Sequence, residues 1–320
     1  MTPRAFEHVR RFGRDTVSFQ TLESGYRYWF DGDDAMVAFV DTGGAWVAAG
    51  GPMAPPEQLA RTALHFIDAA RAQDRRACFF AAEAPLVDAG LSALHIGEQP
   101  VWTAAEWPAI VAAAPSLRYQ LRRARNKHVT VRRIDPLHLD APTRAAIDDL
   151  GRAWQAAHAM APMQFLVQLE PLALAAERVI FVAEHAGAFV GYASAIPVYA
   201  RRRLFVETFV RSPAAPNGTP ELLVDAMMAA SPYPEITLGL APLAGDVSPW
   251  LRFAKFLGTP LYDFEGLRSF KAKLRPSSWE PIYLCVAPGQ SKMIAMRDSL
   301  RAFAGGSLLA FAAKSLMKKD

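Results

Sequence analysis

The chain has 320 residues, of which 52% are hydrophobic and 21% charged. That composition excludes a disordered or fibrous protein and leaves room for two domains at roughly 100–200 residues each. With 35 basic and 31 acidic residues the net charge is only +4, too small by itself to specify a nucleic-acid or membrane partner.

Taken in chain order, Tyr26 to Ala49 alternates short β-like runs (YRYWF, AMVAFV, AWVAAG) with glycine and aspartate turns, which predicts an antiparallel meander ended by Gly50-Gly51-Pro52. An amphipathic helix is expected over Pro56 to Gln73, a buried strand over Ala77 to Ala82, a short helix from Pro85 and a strand over Ile96 to Trp102. The order returns further on. Arg144 to Ala157 reads as a helix, Val179 to His185 and Ala188 to Ile196 as a hairpin around Gly187, and Arg203 to Val210 as a half-buried strand. Helix Glu221 to Ala230, strand Glu235 to Gly239, helix Pro249 to Leu257 and strand Glu280 to Val286 follow. Two α/β units with mixed sheets flanked by helices are therefore expected, over 1–115 and 141–290, joined by 116–140 and followed by a tail over 291–320.

Between strand and helix lies "RSPAAPNGTPELLVDAMM", Arg211 to Met228. Pro213 and Pro216 end the strand, Asn217 and Gly218 tolerate positive φ, and Thr219 is the expected N-cap with Pro220 at the first helical position. Such a helix start either holds phosphate or carboxylate oxygens, through Asn217, Gly218, Thr219 and the adjacent Arg211, or is an ordinary capped helix.

The joining segment carries Arg118, Arg122, Arg123, Arg125, Lys127, Arg132 and Arg133, with no acidic residue from Ser116 to Ile134. Arg118, Arg122 and Arg125 share one helix face, suited to successive phosphates or to plain solvation. Glu207 sits between Phe205 and Phe209 at the same strand parity, so it either lines a cleft or pairs with a base. In "YDFEGLRSFKAKLRPSSWEPIYL", Tyr262 to Leu284, aromatic residues alternate with Arg268, Lys271, Lys273 and Arg275. Lys271 and Lys273 are candidates to neutralise an oxyanion or a phosphate.

Several designs are absent. The chain holds no GxSxG, HExxH, P-loop or GxGxxG, its seven histidines show no paired spacing, and Cys78 and Cys285 match no metal or redox motif, so no metal site is expected and both thiols should be reduced and buried. No window approaches ~18 uninterrupted apolar residues. The expectation is a cytoplasmic protein, or one peripheral at the inner face of a membrane.

The stretches "LRYQLRRARNK", "RSPAAPNGTPELLVDAMM", "ITLGLAPLAG" and "YDFEGLRSFKAKLRPSSWEPIYL" together resemble the C-terminal domain of bacterial phosphatidylglycerol lysyltransferases, the multiple peptide resistance factor family. The resemblance covers most of residues 35–286. It implies two tandem acetyltransferase-like (GNAT) units, the C-terminal one carrying the site. It also implies transfer of an aminoacyl group from aminoacyl-tRNA to a lipid hydroxyl, usually of an anionic phospholipid, without a cofactor. Glu207 and Lys271 are then the expected catalytic residues, and Asn217, Gly218, Thr219, Arg211, Arg118, Arg122, Arg125, Glu265 and Arg268 the expected substrate-binding residues. Two departures stand out. The integral-membrane flippase portion of larger relatives has no expected counterpart in residues 1–320. Where many relatives carry Asp followed three residues later by Arg, this chain has Glu207 and Val210.

An acyl-CoA-dependent N-acyltransferase on the same fold is the first alternative, and a non-catalytic lipid- or RNA-binding module the second. The tail from Ser291 interleaves apolar residues with Lys292, Arg297, Arg301, Lys314, Lys318 and Lys319, broken by Gly305-Gly306. It is suited to an anionic membrane interface or to docking on the protein's own core.

Overall fold

The computed structural model describes residues 2–157, 164–168, 170–242, 264–308 and 311. The expected helix Pro249 to Leu257 and the end of the tail lie outside the described residues.

Among the described residues twelve strands form one sheet. They are β1 (Arg27–Asp31), β2 (Ala35–Asp41), β3 (Ala45–Ala49), β4 (Arg76–Ala82), β5 (Ser92–Thr103), β6 (Thr130–Ile134), β7 (Val179–His185), β8 (Ala188–Val198), β9 (Arg203–Arg211), β10 (Glu235–Thr237), β11 (Ala241–Pro242) and β12 (Ser278–Val286). Their order is β1-β2-β3-β4-β12-β5-β10-β9-β8-β7-β6, with β11 also on β5. Around them lie helices α1 (Pro3–Phe12), α2 (Leu59–Arg71), α3 (Ala84–Asp88), α4 (Trp107–Ala113), α5 (Pro115–Asn126), α6 (Ala141–Ala157), α7 (Thr219–Ala229), α8 (Phe264–Lys273) and α9 (Lys292–Phe303).

Among the described residues only two neighbouring strand pairs are parallel, β3 with β4 and β9 with β10. Parallel neighbours need a crossover, and each pair has one helix for it, α2 and α7 respectively. The repeated order read in the sequence is thus a repeated β–α–β crossover. The halves are not separate in space. Ser278–Val286, which the sequence assigns to the C-terminal unit, lies between β4 and β5 of the N-terminal half. β5, twelve residues long, pairs on its other edge with β10, which joins both halves into one sheet.

Local chemistry explains the ends. Thr2 caps α1 by accepting from the Ala5 N–H at 3.2 Å, with Pro3 at the first position and Arg10 and Arg11 in the last turn. Leu117, Leu121 and Ala124 form the apolar stripe of α5 and pack with Leu223 and Met227 of α7 on Trp102 of β5. Ser291 caps α9, whose Ala295 and Ala302 are buried, with Phe303, against Phe80, Leu284 and Val286. Asp298, also buried on α9, takes both prongs of Arg76 at 2.7 and 2.9 Å. The first piece of the tail is therefore docked on the core, with Met293, Ile294 and Leu300 left on its outer side. Among the described residues no helix is long and apolar enough to cross a membrane.

Candidate active site

The parallel pairing of β9 with β10 covers only Arg203–Phe205 against Glu235–Thr237; beyond it the strands diverge. At that point β9 carries a bulge, since Ser194 faces Thr208 but Ala195 faces Val206, leaving Glu207 without an opposite residue. The extra residue breaks the parity on which Glu207 was expected to share a face with both phenylalanines. Leu204, Val206 and Phe209 face α5 and α7, and Phe209 meets Phe270 at 6.0 Å. Phe205 and Val210 face the other side, where Glu207 meets its partners.

Glu207 pairs with a base. Arg178, just before β7, donates through Nη1 to Glu207 Oε1 and to Ser194 Oγ (3.2 Å), through Nη2 to Glu23 Oε1 (2.6 Å), and through Nε to the Ala173 carbonyl. The side chain of Arg178 is 0% exposed and those of both glutamates 4%. Among the described residues Glu207 Oε2 has no hydrogen-bond partner. Burial pushes the Glu207 carboxyl above its ordinary value despite the pull of Arg178. Glu23 is pushed up to about 8, by burial and by the charge of Glu207. Sequence reading missed Arg178 and Glu23 because neither belongs to a motif, and their pairing spans 155 residues.

Lys271 of α8 stands on the other arm of the divergence. Its Nζ donates to the carbonyls of Gly239 (2.8 Å) and Leu240 (2.9 Å), just past β10, and burial pushes its pKa down to about 7. Gly239 is required there, having φ +68° and a missing Cβ that would sit 2.5 Å from the Phe205 ring.

The other expected residues divide. Gly218, not Thr219, is the N-cap of α7. With φ +92° and no room for a Cβ beside the Gln120 carbonyl of α5, only glycine fits there. Thr219 is buried and its hydroxyl donates to the Pro216 carbonyl at 2.7 Å, while Asn217 is exposed. Arg118 donates to the Val111 and Ala112 carbonyls at the end of α4. Arg125 pairs with Asp225 of α7 at 2.7 Å, whose other oxygen accepts from Trp107 Nε1 at 2.9 Å. Arg122 is exposed and makes no ion pair among the described residues. Arg211 is exposed at the end of β9, and Glu265 is exposed in the first turn of α8. Arg268 lies over the Trp279 ring at 5.3 Å and 4.0 Å from Glu98. Lys273 pairs with buried Glu221 in the first turn of α7. Glu207 thus lies on β9 with Arg178, Lys271 lies against the carbonyls just past β10, and Arg118 and Arg125 hold helices.

The corresponding divergence of the N-terminal half is filled. Past the β3–β4 pairing, the Gly51 N–H donates to Asp15 Oδ2 at 2.5 Å, and the Thr16 N–H and hydroxyl both donate to Glu83 Oε1 at 2.7 and 3.0 Å. Burial and Glu83 push Asp15 up to about 7. The chain's own segment 15–17 occupies this place.

Two β–α–β crossovers on one mixed sheet, with a splayed parallel pair in each, define a doubled acyltransferase fold of the GNAT type. The chain belongs to the phosphatidylglycerol lysyltransferase, C-terminal family, whose model matches residues 6–286. Among solved structures, it is similar to the C-terminal domain of a protein described as a lysylphosphatidylglycerol synthetase from Agrobacterium fabrum, with 24% identity, TM-score 0.79, and 95% of this chain and 97% of that one covered. L-PGS from Bacillus licheniformis gives 19% identity and TM-score 0.80 over 94% and 96% of the two chains. FemX gives 10% and 0.56 over 90% and 96%. No curated protein matches the sequence.

Proposed function

We propose that this chain moves an aminoacyl group from aminoacyl-tRNA to a hydroxyl of an anionic phospholipid such as phosphatidylglycerol. The observation that carries the reading is the β9–β10 divergence, which offers on one arm a buried carboxylate oxygen without a hydrogen-bond partner among the described residues and on the other a lysine with a near-neutral pKa. An aminoacyl ester is already activated, so the chain needs only to align it with the hydroxyl, take one proton and steady one oxyanion. Glu207 Oε2 takes the proton of the attacking hydroxyl. The ammonium form of Lys271 steadies the charge that develops on the ester's carbonyl oxygen. As the intermediate collapses, the proton passes to the departing ribose oxygen. Arg122, with the exposed part of the basic segment, meets tRNA or lipid phosphate, and the outer side of α9 faces the membrane that holds the acceptor.

Val210, where many relatives carry arginine, is fully buried in apolar packing. A guanidinium still meets the carboxylate, from Arg178, 29 residues earlier. This supports a working centre over a binding module that lost its chemistry. The acyl-CoA reading is disfavoured by Gly218, because the loop that would cradle a pyrophosphate is packed on the Gln120 carbonyl. The test is Glu207→Gln assayed with charged tRNA and phosphatidylglycerol vesicles. Turnover should fall about 100- to 10,000-fold with folding intact. Activity within a few-fold of wild type removes Glu207 as the base, and absence of any lipid product in the wild type sinks the reading.

A further inference from the structure

Arg178 holds two carboxylates with one guanidinium, all three side chains removed from water. With both acids ionised the cluster carries one net negative charge in a low-dielectric site, an arrangement that favours taking up a proton. A carboxylate paired alone with a buried arginine is a poor base, because the cation stabilises its ionised form. Glu23 changes this, since it draws on the same guanidinium from the opposite prong.

We propose that Glu23, supplied by the N-terminal half, is the positioning residue that keeps Glu207 basic: the two carboxylates compete for Arg178 and hold one proton between them. The inference rests on the function proposed above for Glu207. The surroundings fit a shared proton. The Gln20 amide donates to the Leu166 carbonyl at 3.3 Å and also pulls the Glu207 carboxyl downward as a hydrogen-bonding neighbour. Ser194, between the strands, donates its hydroxyl to the Pro171 carbonyl at 3.4 Å. Glu170, a further acid, accepts from Ser24 at 2.5 Å and its charge raises both glutamates. Tyr26 and Tyr192 remain un-ionised, burial pushing both phenols upward. Asp148 acts on Tyr192. No second cation meets either carboxylate among the described residues.

The test reads the proton directly. Infrared spectra at neutral pH, taken as wild type minus Glu23→Gln and wild type minus Glu207→Gln, should each show the carbonyl stretch of one un-ionised carboxyl group. Either substitution hands Arg178 wholly to the remaining acid and ionises it. A difference spectrum that lacks this stretch for either variant overturns the sharing; the carboxyl of Asp15 is common to all three proteins and cancels. Should a variant not fold, carboxyl-labelled glutamate in the wild type decides by NMR: one glutamate must stay protonated through neutral pH and titrate near about 8, and its absence overturns the proposal. In steady-state kinetics, the limb of the kcat profile set by the pair's single shared proton should move to lower pH by about one unit or more in Glu23→Gln, and the plateau above it should fall about tenfold, with KM little changed. An unshifted limb in a folded, active variant makes Glu23 a structural residue only. Because the spectra need no substrate, failure to aminoacylate lipid would count against the proposed function and leave this result standing.

Discussion

Gly218 lies directly against the carbonyl oxygen of Gln120, so the start of α7 and the middle of the basic helix α5 are locked backbone to backbone. The contact fixes the loop after β9 to the segment joining the two halves, and through α7 it sets where β10 diverges from β9. A methyl group at 218 meets both penalties there, the left-handed φ of +92° and the collision, with Ala124 Cβ a further 3.1 Å neighbour. Gly218→Ala should cost roughly 2–4 kcal/mol. Urea unfolding gives the number, and a change below about 0.5 kcal/mol would show that α5 is free to move away.

Lys271 makes stability depend on pH in the alkaline direction. Its pKa is about 7 in the fold against an ordinary 10.5, so between those values the unfolded chain holds a proton that the folded chain lacks. Because the unfolded state is the one that binds the extra proton throughout that window, raising pH disfavours it and stability rises. Below about 7 the fold must bury the charge. Relative to Lys271→Met, the wild type should therefore gain roughly 2 kcal/mol between pH 7 and pH 9. Parallel pH curves for the two proteins would mean that the ammonium is not desolvated.

The arginines of α5 should separate in their effects. Arg122→Glu should lower the slope of log affinity for tRNA against log salt by about one while leaving the melting temperature unchanged. Arg125→Glu sets an acid against Asp225, which also serves Trp107, and should cost about 1 kcal/mol or more of stability. Equal salt slopes for wild type and Arg122→Glu would make position 122 a solvated face.

Truncation after Gln290 removes α9 and uncovers Phe80, Leu284 and Val286. With Phe303 and the buried alanines withdrawn and Arg76 left without Asp298, the loss should be roughly 5 kcal/mol, read as a lower urea midpoint or aggregation. Unchanged stability with lost vesicle binding would instead assign α9 to the membrane surface alone.

Much of the local structure is written in short windows. Alternation over Arg203 to Val210, the prolines after it and the glycine before α7 give strand, loop and helix in the right places, because φ/ψ preference and side-chain period act over a few residues. The same windows carried Glu207 and Lys271 as candidates, through an acid in an apolar strand and a lysine among aromatics. They also carried the repeated order that becomes two crossovers.

What the windows could not carry is how distant segments meet. A one-residue bulge turned Phe209 away from Glu207, and it is visible only once β8 is paired alongside. Ser278–Val286 joins the N-terminal half because the space between β4 and β5 must be closed by a strand, whichever part of the chain supplies it. Arg178 reaches Glu207 across 29 residues and Glu23 across 155. Arg118 and Arg125 share a helix face with Arg122, yet tertiary neighbours claim the first two and leave the third in solvent. Periodicity fixes which side of an element is apolar. Burial of that side against other elements decides which charges meet, and so which carboxylate oxygen is left without a partner.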